Sequence, residues 1–79
     1  MQRYYFHLHD RTGNVCDPEG RLFETVAAAR GYAVYAARSI MSGDVLEGIF
    51  DPNGSVEVTD ERGNRVFTLR FDEAVVRVM

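Results

Sequence analysis

The chain has 79 residues and a formal net charge of −3. Apolar residues make up 46% and charged residues 27%, which excludes the disordered class, and the acidity disfavours non-specific binding to nucleic acid or an anionic membrane. A chain of this size is expected to form one domain, 1–79, that buries only roughly 60–65% of its unfolded surface, so pairing with a second copy is a ready way to bury more.

Residues 3–10 read as one strand with two unlike faces. Side chains alternate across a strand, so Tyr4, Phe6 and Leu8 form an apolar stripe while Arg3, Tyr5, His7 and His9 share the other side. Asp10-Arg11-Thr12-Gly13-Asn14 is a turn by its Asp, Gly and Asn content. Val15 and Cys16 return as a short strand, completing a hairpin. Asp17-Pro18-Glu19-Gly20 ends that strand, because proline cannot donate to a ladder and glycine permits a sharp reversal. Leu22 and Phe23 then bring apolar bulk back to the core.

Thr25 is placed to cap a helix running to about Ser42. Positions 26, 29, 33, 36, 37 and 40 recur at spacings of three and four and define one apolar face, mostly alanine, so the backbone can sit close to what it covers. Tyr32 and Tyr35 lie off the centre of that stripe, with Tyr35 at the surface or an interface. Gly31 costs the helix about 1 kcal/mol against alanine. Ser42-Gly43 reads as the stop, followed by an irregular turn over 44–48 that carries Leu46 inward.

Asp51-Pro52-Asn53-Gly54 is a second dense turn signal. Val56 and Val58 alternate with Glu57 and Thr59; Phe67, Leu69 and Phe71 alternate with Val66, Thr68 and Arg70. Between them Asp60-Glu61-Arg62-Gly63-Asn64 reads as a hairpin loop, with Gly63 at the left-handed position. Residues 72–77 read as a short helical turn or an edge strand. The order is ββαββ, which predicts an α+β two-layer sandwich: a four-stranded antiparallel sheet with one helix packed on one face. The uncovered face carries Tyr5, His7, Thr59, Thr68 and Arg70, and meets either water or a partner.

The pattern resembles a family of very small uncharacterised bacterial proteins, a domain of unknown function. The residues that carry the resemblance are Arg3-Tyr4-Tyr5-Phe6-His7-Leu8, Asp17 to Gly20, the helix start from Thr25 to Arg30 with Ala29 and Ala33, Glu57 to Gly63, and Phe71-Asp72-Glu73-Ala74-Val75. At Thr25 the family usually has Asp; both residues cap helices. The resemblance implies a compact stand-alone domain and attaches no activity or cofactor to it.

Each chemistry these residues could carry competes with a purely structural role. His7 and His9 lie two apart on one strand face, and Asp10, Cys16 or Asp17 could complete a metal site, but a single His-x-His is a weak signal and two imidazoles alone do not hold zinc. Cys16 returns past His7 or His9, so a Cys–His contact is conceivable, but no glycine-rich elbow, oxyanion-hole motif or third partner is visible. The acidic pairs Asp60-Glu61 and Asp72-Glu73 sit in a turn and at a helix start, where carboxylates serve local structure. No phosphate-loop signature is present. A single cysteine gives no disulfide framework, and the sequence shows neither a secretory leader nor an apolar run of roughly 20 residues, so a cytoplasmic location is expected.

What remains is the open sheet face. Tyr and Arg recur at interface hot spots, and all nine basic residues here are arginine, a bias that a GC-rich coding sequence also produces. The reading is a non-enzymatic interaction or regulatory module without cofactor, self-associating or binding another protein through Arg3, Tyr5, His7 and Arg70, with Tyr35 as a second candidate. The alternative is a single-stranded nucleic-acid binder, stacking bases on Tyr5 and His7 with Arg3 and Arg70 on phosphates.

Overall fold

The computed structural model describes residues 1–76 and 78. Its elements are β1 (Gln2–Asp10), β2 (Gly13–Val15), β3 (Arg21–Phe23), α1 (Val26–Leu46), β4 (Ser55–Thr59), β5 (Arg65–Arg70) and a 3₁₀ turn over Phe71–Ala74. The sheet is antiparallel throughout, in the order β2-β1-β4-β5, and β3 pairs with the same edge of β1 as β2 does. The α+β expectation holds, with five strands in place of four. The extra one is β3, only three residues long, which places Leu22 opposite Arg3. Leu22 is therefore exposed, and Phe23 alone of that pair packs on the core.

The core forms where α1 lies across one face of the sheet. Tyr4, Val56, Val58, Leu69 and Phe71 are buried from below, with Phe6 and Leu8 packed beside them. From above come Ala29, Ala33, Ala37 and Met41. Their spacing of four keeps them on one stripe, and methyl side chains let the helix settle close to the strands. The expected stripe shifts accordingly: Val26 is exposed and Met41 takes the inward position at the far end. Tyr32 closes the near end, edge-on to Phe6 at 4.9 Å between ring centroids, with the Arg21 guanidinium over its outer face at 4.5 Å.

Both ends of α1 follow from local chemistry. Thr25 caps the start, its hydroxyl accepting from the Ala28 amide at 3.0 Å. The end is later than expected. Gly43 is passed over, and the helix stops at Gly48, whose φ of 81° is left-handed. There the Gly48 amide donates to the Val45 carbonyl and the Ile49 amide to the Asp44 carbonyl, both at 2.9 Å, the paired closure that glycine makes possible. Arg11, at the tip of the β1–β2 hairpin, clasps Asp44 at 3.1 Å and Asp51 at 3.4 Å, so the last helical turn is fixed from outside. Leu46 consequently ends up exposed, not inward.

The β4–β5 hairpin turns as expected, with Gly63 at φ 82° and the Asp60 carboxylate accepting from the Arg62 and Asn64 amides. A bulge shifts the register between Val58 and Thr59, so Thr59 faces Arg65 and Val66 is the additional residue. Val66 therefore packs against the core beside Phe67 and does not alternate outward. Phe71 leaves the strand to begin the 3₁₀ turn yet remains fully buried. Of the two readings for 72–77 the helical turn is found over its first residues, and position 77 lies outside the described residues. Among the described residues no helix is long and apolar enough to cross a membrane.

Candidate functional site

The pairing register assembles the open face from three strands. Tyr5 stands opposite Thr59, His7 opposite Glu57 and His9 opposite Ser55 on β4; Glu57 and Ser55 in turn oppose Thr68 and Arg70 on β5. The Tyr5 and His7 rings lie parallel, 6° apart, with centroids at 6.5 Å. Both are half-buried, because the loop joining β2 to β3 packs along that side of β1.

That loop is organised by Asp17. Strand β2 pairs with residues 8–10 of β1 and β3 with residues 2–4, which leaves the middle of this edge without a strand. The Asp17 carboxylate fills the gap. It accepts from the Phe6 amide at 3.1 Å on one oxygen and from the Glu19 and Gly20 amides at 3.1 Å on the other. Burial pushes this carboxyl up, but the three amides together outweigh it and leave the group below the ordinary aspartate range. Gly20 is required here: with φ 66°, a Cβ at this position would stand 2.8 Å from the Tyr4 carbonyl oxygen.

The loop also fixes His7. The Asp17 amide donates to His7 Nδ1 at 3.1 Å, so that nitrogen carries no proton. The proton is on Nε2, which donates to the Thr59 hydroxyl at 2.9 Å. His9 is held differently, between two acceptors: Asn14 Oδ1 at 2.7 Å and Glu57 Oε1 at 3.2 Å. The Asn14 oxygen, followed by the Glu57 carboxylate, raises its pKa above the usual histidine value.

The four residues expected on the open face are spread along it and not gathered at one point. Arg3, Tyr5 and His7 are neighbours on β1. Arg70 lies across the sheet near His9, roughly 20 Å along the strand direction from Arg3 at the usual rise per residue. Tyr35 is exposed on the helix, on the opposite side of the molecule. The cations are also engaged: Arg3 donates to the Glu19 carbonyl at 2.9 Å, and Arg70 grips Asp72 with two bonds at 3.1 Å. As for metal, both nitrogens of each histidine are taken by protein groups. Among the described residues no group of three or more His, Cys, Asp or Glu is placed to hold an ion. Cys16 is exposed and lines a groove of about 510 Å³ beside Phe6, Leu8, Tyr32 and Ala36.

A second surface was missed by sequence reasoning. Where α1 ends, Val45 and Leu46 meet Phe50 and Val75 around a groove of about 340 Å³ floored by Met41, which continues past Phe50 and Val75 into another of about 450 Å³ reaching Pro52 and Asp72. The signal was available in Val45-Leu46 and Ile49-Phe50, two apolar pairs flanking Gly48, but a helix ending at Gly43 directs Leu46 inward and hides it.

No curated protein and no solved structure matches the chain. One family model does, from Arg3 in the first strand to Asp72 in the 3₁₀ turn, spanning every strand and the helix. The chain thus belongs to the family described as a domain of unknown function, DUF6894.

Proposed function

We propose that this domain is a non-enzymatic protein-interaction or regulatory module of the cytoplasm whose first partner is a second copy of itself. The observation that carries this reading is the distribution of apolar bulk. Ten hydrophobic residues are buried, four of them alanine, while twelve large hydrophobic ones are exposed among the described residues. A small fold that keeps so much apolar surface outside gains by covering it. Two surfaces are open to a partner: the sheet face with Arg3, Tyr5, His7 and Arg70, and the apolar rim at the end of α1. The nucleic-acid alternative is weakened by the internal bonds of Arg3 and Arg70 and by the net charge of −3, since phosphate recognition needs uncommitted cations.

Sedimentation equilibrium on the full chain tests the reading. The expected result is a mass that rises with concentration from 8.9 kDa toward twice that value. A single monomeric mass up to several hundred micromolar contradicts it. Single-stranded DNA at low salt is expected to leave the electrophoretic mobility unchanged.

A further inference from the structure

The self-association reading leaves two surfaces in competition, and the structure distinguishes them by chemistry. On the sheet face the polar groups are already matched: His7 to Asp17 and Thr59, His9 to Asn14 and Glu57, Arg70 to Asp72. A partner docking there must break those bonds or bury them without gain. At the end of α1 the exposed groups are hydrocarbon and have nothing to lose.

The size of that apolar rim suits a second copy of the chain as its occupant. Val45 is 56% exposed, Leu46 86%, Phe50 69% and Val75 47%. Scaled from the roughly 150–250 Å² of an aromatic side chain, these four leave on the order of 450 Å² in one continuous patch, within the roughly 300–600 Å² of the largest patch on a typical soluble monomer. Two copies meeting on it bury at most about 900 Å² from these side chains. The flanking Arg38, Ser42, Pro52 and Asp72 add to this, toward the roughly 1,000 Å² that separates specific contacts from incidental ones. The centre of the patch is hydrocarbon, so a two-fold axis through it sets like against like, the self-complementarity an isologous interface requires.

We propose that two copies of this chain dimerise through the patch formed by Val45, Leu46, Phe50 and Val75, with Leu46 and Phe50 as the anchors. This deepens the self-association reading and rests on it. The test compares the full-length wild type with Leu46→Glu and with the double variant Tyr5→Ala/His7→Ala, by sedimentation velocity across a concentration series. Circular dichroism serves as the check on folding. Leu46→Glu is expected to weaken the dimer at least tenfold with an unchanged spectrum, and the sheet-face double variant to leave it intact. Should Leu46→Glu unfold, Phe50→Ser carries the same expectation, because its side chain sits in a surface loop. A dimer that survives both patch variants, or one abolished by Tyr5→Ala/His7→Ala, overturns the assignment while preserving self-association. A wild type that stays monomeric overturns both and leaves the patch to an unlike protein.

Discussion

Asp17 does the work of a missing strand segment. Its two carboxylate oxygens serve three backbone amides, those of Phe6, Glu19 and Gly20, and its own amide sets the tautomer of His7. Asp17→Ala is expected to cost about 2–3 kcal/mol in urea unfolding, because three amides lose a charged acceptor in a part-buried site; Asp17→Asn, which keeps one acceptor oxygen, costs about 1 kcal/mol. Since the folded carboxyl lies below its ordinary value, its stabilisation is complete above the unfolded pKa of about 3.9 and is lost as the pH falls through the folded one. The gap between wild type and Asp17→Asn should therefore close in acid. His9 has the opposite sign. Its pKa is raised by Asn14 and Glu57, so its contribution is complete below about pH 6.5 and disappears as the pH rises through the folded value. The excess stability of wild type over His9→Gln should be larger at pH 5.5 than at pH 8.5, by less than about 1 kcal/mol for so exposed a pair. None of this was legible in Asp17-Pro18, which reads as an ordinary turn; the gap it fills is a property of the pairing register.

Two glycines in or beside the secondary elements are expected to respond oppositely to alanine. A Cβ at Gly31 meets nothing within 4 Å, so Gly31→Ala should raise stability by about 0.5–1 kcal/mol through helix propensity. Gly54 is buried beneath the Phe71 ring, which a Cβ there would overlap, and Gly54→Ala should cost about 1–3 kcal/mol from overpacking; thermal unfolding of the pair checks both. The elements themselves were legible wherever a period was sustained. Tyr4-Phe6-Leu8 and Val56-Val58 fixed their strands, and Thr25 marked the start of the helix. The helix end was not, because Gly43 and Gly48 carry the same signal in sequence. What separates them is the clasp of Arg11 on Asp44 and the carbonyl pairing at Gly48, both set by tertiary structure. Strand β3 was missed for a similar reason: three residues are too few to show alternation, and β1 alone defines them as a strand.

The whole molecule is a slab about 16 Å thick and 37 Å long, one helix on one sheet, with an apolar rim where the helix ends. Its two layers followed from the sequence because a single amphipathic helix can roof only one face. The candidate site was less legible. Tyr5 and His7 do share the open face, and Tyr35 is exposed on the helix as read, but the register carries Arg70 to a far corner. The surface richest in unpaired apolar area depended on a helix end that the sequence left ambiguous. The most direct measurement is a dilution series followed by amide chemical shifts on the full chain. The account predicts that the signals of residues 41–50 and of Val75 move with concentration while those of Tyr5 and His7 stay fixed. Shifts confined to β1 and β4, or none at all, would contradict it.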